Sequence, residues 1–215
     1  MRLVGPTQYK RLLEAVDYYE KCGFKYVDVP WAVGAEAIGI TRPPWASVEG
    51  GAHLVAGGHD LFPVASAEQS FIQLQLDALH GSLDNRISGS YCTLTPCYRN
   101  EPTLDDLHQP YFAKVELISW DRTTREDMDK MIAGARLLFE RELWVDCVHN
   151  TEEDPIGVVS YDLVTTHTGI EVGSYGIRET EYLGRWVYGT GLAEPRFSYA
   201  LELEEPFSRR VEAFF

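Results

Sequence analysis

The chain has 215 residues, 45% of them hydrophobic and 12% aromatic, enough to bury one sizeable core, and it reads as a single domain over residues 1–215. Lys and Arg number 19 against 33 Asp and Glu, a formal net charge of -14 that disfavours a surface built to bind nucleic-acid phosphates. No run approaches the ~20 apolar residues of a membrane span, no signal-peptide core opens the chain, and the cysteines lack CxxC spacing, so a reduced, cytoplasmic protein is expected.

Gln8 to Cys22 has helical periodicity, with Leu12, Leu13, Val16 and Tyr19 on one stripe, and ends at Gly23, a residue suited to closing a helix. Residues 24–30, Phe-Lys-Tyr-Val-Asp-Val-Pro, follow as a strand closed by proline. The stretch from Trp31 to Gly58 is rich in Gly, Pro and Ala and reads either as a flap over a cleft or as a loop. Phe62 to Gln73 is a strand turning into an amphipathic helix. Ser66-Ala-Glu68 at its start is a capping sequence, and its carboxylate equally suits an ammonium.

Arg86 to Tyr98 and Tyr111 to Trp120 are rich in β-branched and aromatic residues and read as strands joined through Pro102 to Pro110. Around that connection stand Tyr98-Arg99-Asn100-Glu101 and, after an acidic loop, His108-x3-Phe112-x3-Glu116. A guanidinium, an imidazole and an aromatic ring around one cleft suit a nucleotide: Arg99 forks onto a phosphate, Phe112 lies against a purine and His108 reaches a terminal phosphate. The alternative is that Arg99 and Glu101, on one face of a strand, pair in a buried network.

Arg125 to Trp144 reads as a helix capped by Thr123 or Thr124, its first turn favoured by Glu126, Asp127 and Asp129. Asp162 and Glu171, at strand positions beside a nucleotide cleft, are hard oxygen ligands for Mg²⁺ on a triphosphate, although a strand-end cap is an equal reading for Asp162. Arg178, at the end of Gly173-Ser174-Tyr-Gly-Ile, suits bidentate carboxylate recognition. Tyr188 to Leu201 is a small-residue strand passing into a helix with Pro195 in its first turn. There Gly189, Gly191 and Ala193 let a backbone approach a flat ligand, and Arg196 meets its phosphates.

Gly23-Phe24-x5-Pro30, Tyr98-Arg99-x-Glu101 through Glu116, and Gly189-x-Gly191-x-Ala193-x2-Arg196, in that order, resemble the three motifs of the class II aminoacyl-tRNA synthetase catalytic core. The resemblance implies an α/β (α+β) fold with a mainly antiparallel sheet flanked by helices, paired into a homodimer through the first motif. Residues 160–178 are similar to the aspartyl and asparaginyl branch and to the ammonia-dependent asparagine synthetase; the sequence departs from the family in that Ala193 replaces the last glycine of the third motif, the turn before Glu171 is longer than in the aspartyl branch, and the chain is shorter than the asparagine synthetase.

By this resemblance the protein is an adenylate-forming ligase that uses ATP and Mg²⁺ to activate an amino acid, aspartate or asparagine favoured. Arg99 and Arg196 are the catalytic residues, and Glu101, His108 and Phe112 complete the ATP site. Asp162, Glu171 and Ser174 hold the metal. Ser66 and Glu68 meet the α-amino group, and Arg178 the side chain. No stretch remains for an anticodon-binding domain, and Asp105 and Asp106 would repel an acceptor stem, so the expected acceptor is ammonia, a small amine or a carrier protein rather than tRNA. The alternatives are a non-catalytic paralogue that binds amino acid or nucleotide and regulates a partner, and a tRNA-charging enzyme with a separate partner. Cys92 and Cys97, at an odd offset along one strand, point to opposite faces, which argues against zinc. His149 and His167 receive no role.

Overall fold

A computed structural model of the chain describes residues 7–41, 60–84, 86–99, 103–151 and 154–212, the last eight of these as backbone only. Helix α1 (Tyr9–Lys21) buries Leu12, Ala15, Val16 and Tyr19, whereas Leu13, expected on the same stripe, is exposed: it lies one residue, about 100°, round from Leu12. It closes at Gly23, whose φ of 94° is strained for any residue with a Cβ. Of the strand expected over 24–30, only β1 (Lys25–Tyr26) is regular. Next come β2 (Ala32–Gly34), α2 (Ala35–Ile40) and β3 (Leu61–Pro63); β2 and β3 make a small antiparallel ribbon of their own. Residues 42–59, most of the expected flap, lie outside the described residues.

Helix α3 (Ala67–Leu79) is capped by Ser66, whose side-chain oxygen accepts from the Glu68 amide. Strands β4 (Ser90–Tyr98) and β5 (Tyr111–Ser119) follow, then α4 (Arg125–Phe139). Thr124, not Thr123, is its cap: the Thr124 hydroxyl accepts from the Asp127 amide and the Asp127 carboxylate accepts from the Thr124 amide, a capping box. The helix ends at Phe139 rather than Trp144, and β6 (Val145–His149) begins almost at once. Strands β7 (Gly157–Thr165), β8 (Glu171–Thr180) and β9 (Gly184–Glu194) lead into α5 (Arg196–Glu212). Among the described residues no helix is long and apolar enough to cross a membrane.

Seven strands form one sheet in the order β1-β4-β5-β9-β8-β7-β6, antiparallel throughout except for the β1–β4 pair. The expected architecture, a mainly antiparallel sheet flanked by helices, is the one observed. Strand β5 lies near the middle and is buried on both faces from Ala113 to Ser119. Its Ala113, Val115 and Leu117 enter one core with α1, α4 and the start of α5. Ile118 enters a second core with α3 and Trp186. By the period of two along a strand, Phe112, Lys114 and Glu116 share the face of Ile118.

The glycines of β9 have a different use from the one the sequence implies. A Cβ on Gly189 would collide with the Tyr175 ring and the Met131 sulfur, and one on Gly191 would come within 2.8 Å of Tyr19 and Val115. Their smallness serves the helix-side core, not the approach of a ligand. Replacing Gly189 by Ala should therefore cost about 1–3 kcal/mol by overpacking, read as a lowered urea midpoint; an unchanged midpoint would show that the ring and sulfur give way freely.

The longer turn before β8 is held from α5. The Glu204 carboxylate accepts from the Thr168 amide at 2.8 Å and from the Thr168 hydroxyl at 2.7 Å, and lies 2.9 Å from His167 Nδ1. Burial opposes its ionisation, but the bonds from Thr168 and His167 prevail and hold its pKa below the usual glutamate value. A depressed carboxylate stabilises the fold above its unfolded pKa and loses that contribution as pH falls through the folded one. Glu204→Gln should thus lower stability at pH 7 by about 1–3 kcal/mol, with a difference from the native protein that shrinks below pH ~4 in urea unfolding curves.

Candidate active site

A cleft of about 550 Å³, open mouth included, lies where the start of β5, the start of β8 and the β9–α5 junction meet. Arg99, Phe112, Lys114, Glu171, Thr190 and Arg196 supply its chemistry. The guanidinium of Arg99 sits 5.3 Å from the centre of the Phe112 ring, and its Nε donates to the Ala65 carbonyl at 3.3 Å. Arg196 Nη2 donates to the Leu107 carbonyl at 3.3 Å, and Nη1 stands 3.6 Å from Glu171. Arg99, Phe112 and Arg196, expected at one site, are thus brought together.

The strand-to-helix junction that carries Arg196 is itself anchored. Glu194 is fully buried and meets Arg11 Nη1 at 3.0 Å, while Arg11 also donates to Ser198 Oγ at 2.7 Å and to Glu142. A buried carboxylate is tolerable only with such a partner.

His108 does not join the cleft. Its Nδ1 faces the Asp105 carboxylate at 2.8 Å in the exposed loop, a contact that pulls the Asp105 pKa down, and its neighbours Leu107 and Gln109 line the cleft instead. Glu101 lies outside the described residues.

The expected amino-acid site is rearranged. Glu68 is buried and accepts from Trp186 Nε1 at 2.7 Å, and its other oxygen pairs with Arg178. Burial pushes the Glu68 carboxyl up, with Arg178 and Trp186 opposing. Arg178 also donates from Nε to Asp154 at 2.7 Å and lies 4.5 Å from the centre of the Tyr188 ring. Burial works against its charge, yet Glu68, Tyr188 and Asp154 raise its pKa on balance. An incoming side-chain carboxylate would have to approach Arg178 past two carboxylates of the protein, so the geometry does not support aspartate recognition there. Glu68 is likewise committed to Arg178 and Trp186 rather than to a substrate ammonium.

Ser66 caps α3, one of its two expected aspects, and its hydroxyl donates to the Glu116 carboxylate. Glu116 is the carboxylate that the site reading overlooked. It is fully buried, Lys114 Nζ lies 3.0 Å from its Oε2, and its Oε1 has no partner among the described residues. The hydroxyls of Thr93 and Thr95, which face Glu116 and Lys114 across the β4–β5 ladder, are buried without partners too. Each such atom costs about 1–3 kcal/mol unless something meets it. The signal in the sequence was the alternation Phe112, Lys114, Glu116 within a strand otherwise apolar.

Of the three residues expected to hold a metal, Glu171 lines the cleft, half exposed. Asp162 and Ser174 face each other across the β7–β8 ladder and are not among the lining residues. No cluster of three His, Cys, Asp or Glu side chains suited to a metal forms among the described residues.

The chain resembles several solved structures. Seryl-tRNA synthetase from Pyrococcus horikoshii, solved with ATP, matches over 89% of this chain and 49% of its own at 20% identity and a TM-score of 0.71. The cytoplasmic serine-tRNA ligase of Naegleria fowleri, solved with AMP, matches over 87% and 46% at 18% identity and a TM-score of 0.64. PylSc of Desulfitobacterium hafniense, a pyrrolysyl-tRNA synthetase, matches over 93% and 70% at 16% identity and a TM-score of 0.62. The fold is that of a class II synthetase catalytic core. The chain spans about half the length of the two seryl enzymes. These similarities lie with seryl and pyrrolysyl enzymes and lend nothing to the expected aspartyl and asparaginyl branch. No protein-family model matches the chain, and none of the curated proteins matches it in sequence.

The cysteines behave as packed thiols. Cys92 sits in the helix-side core, and Cys97 is buried opposite Phe112 on the other face, as the odd offset requires. Burial pushes both up to about 12, whereas Cys22 and Cys147 are exposed. A disulfide reagent at pH 8 should titrate only Cys22 and Cys147 quickly in the native protein, and all four after denaturation. Rapid reaction of all four in the native state would contradict this placement.

Proposed function

We propose that the protein activates an amino acid with ATP, forming an acyl-adenylate and releasing pyrophosphate. The observation that carries this reading is one cleft lined by Arg99, Arg196 and Phe112, together with a buried oxygen of Glu116, further along the same face of β5, that has no partner among the described residues. Cations beside an aromatic ring suit a nucleotide's phosphates and base. A buried carboxylate oxygen suits an ammonium. The solved structures that share the fold include one with ATP and one with AMP, which supports the same ligand here.

The chemistry asks for no protein nucleophile. The substrate carboxylate attacks the α-phosphorus, the bond to the bridging oxygen of the β-phosphate breaks, and pyrophosphate leaves with the electron pair. What the chain contributes is position and charge. Arg99 holds carboxylate and α-phosphate together, and Arg196 holds the outgoing phosphates. Glu171, exposed in the cleft, fits a Mg²⁺ that takes its remaining oxygens from phosphate and water, as this ion commonly does. When bound, that ion neutralises the triphosphate. The occupied state of Arg178 favours an amino acid without an acidic side chain.

The charge of -14 supports ammonia, a small amine or a carrier protein as acceptor. The fold's occurrence in tRNA synthetases supports the second reading, a tRNA-charging enzyme. Amino-acid-dependent ATP–pyrophosphate exchange over the standard amino acids, without tRNA, tests the activity. Arg99→Ala and Arg196→Ala should each reduce it at least about a hundredfold; near-native exchange in both would refute the assignment. Bulk tRNA should bind no tighter than a Kd of about 10⁻⁶ M at physiological salt, and tighter, salt-sensitive binding would favour the second reading.

A further inference from the structure

The activation reading leaves Lys114 without a task, and the following inference rests on that reading. Strand β5 sets Phe112, Lys114 and Glu116 in a row on one face, each step about 6.6 Å. An aminoacyl-adenylate carries its groups in a matching order: purine, then α-phosphate joined to the acyl carbonyl, then ammonium. With the purine at Phe112 and the ammonium at Glu116, the reacting phosphorus and carboxylate fall to the middle residue. That residue is Lys114, which lines the cleft with its side chain 10% exposed and holds Nζ 3.0 Å from Glu116 Oε2.

We propose that Lys114 is a catalytic residue that changes partners. It neutralises Glu116 until a substrate ammonium takes that carboxylate, and Nζ then turns to the α-phosphate. The partnerless atoms around it, Glu116 Oε1 and the hydroxyls of Thr93 and Thr95, leave room in the hydrogen-bond network for a second cation. As the carboxylate oxygen bonds to the α-phosphorus and the bond to the β-phosphate's bridging oxygen breaks, charge grows on the α-phosphate oxygens, where Lys114 donates. No proton changes hands, so Lys114 stays cationic throughout. The exchange also couples the two ligands: the amino acid frees a cation for the nucleotide, so each should tighten the other's binding.

The test compares the native chain with Lys114→Met, Lys114→Arg, Glu116→Gln and the Lys114→Met/Glu116→Gln pair. Two quantities are measured: pyrophosphate exchange, and calorimetric binding of α,β-methylene-ATP with and without the amino acid that exchanges fastest. Lys114→Met should bind the nucleotide alone within about threefold of native, lose about a hundredfold or more in exchange kcat, and lose the tightening by amino acid. Lys114→Arg should restore part of kcat. The double variant should stay well below Glu116→Gln in kcat, a comparison that holds even if Lys114→Met alone is too unbalanced in charge to fold. Equal kcat in those two variants, or near-native kcat in folded Lys114→Met, overturns the inference and reduces Lys114 to a counter-charge, with amino-acid activation still standing. A native chain that exchanges with no amino acid overturns both.

Discussion

The constraint on which this molecule turns is the burial of β5 on both faces. A central strand with helices above and below has no solvent side, so every residue of one parity must suit one core and every residue of the other parity the second. Ala113, Val115 and Leu117 satisfy the first with apolar bulk. On the other side Ile118 does the same, but Lys114 and Glu116 bring charge into a region from which water is largely excluded. That cost is tolerable only because the charges meet each other and Ser66, and because the strand delivers them to a cleft. A one-residue slip of β5 would exchange the two rows and destroy core and site together.

The same arithmetic of buried charge governs the neighbouring network. Glu68, Arg178 and Asp154 arrive from α3, β8 and the loop before β7, and they neutralise one another only in part, two carboxylates to one guanidinium. Trp186 and the Tyr188 ring complete the shell. The result is a buried cluster whose charges already meet one another.

What was legible in the sequence followed period and punctuation. The stripe of α1, the closing role of Gly23, the cap at the head of α3 and the paired strands β4 and β5 all carry local signals that tertiary packing reinforces. Strand β6 was hidden because four of its five residues are exposed, so no apolar alternation marks it. In the site, Arg99, Phe112 and Arg196 were legible because arginines and an aromatic ring stand out at the ends of apolar runs. Glu116 was legible only as the end of a motif, without a role, and Lys114 not at all, since a polar row on a strand reads as a wet face until α3 is known to cover it. The partners of Arg178 lie 24 and 110 residues away in sequence, beyond any spacing rule. Gly189 and Gly191 gave a true signal with a mistaken cause: glycine was required, but by Tyr175, Met131 and Tyr19.

Arg11 reaches across 183 residues to Glu194, just ahead of the helix that presents Arg196. On a ribosome the two halves of this ion pair emerge 183 residues apart, the arginine first. Until the second emerges Arg11 has no Glu194 to meet, and the carboxylate it finally neutralises cannot be buried without it. Closure of the cleft is thereby a late event in the life of the chain, set by a contact of long sequence separation whose loop-closure entropy is among the last to be met. A form without Arg11 would keep the pairings of β9 with β5 and β8 while losing the anchor beside Arg196, which separates the holding of the sheet from the holding of the cleft.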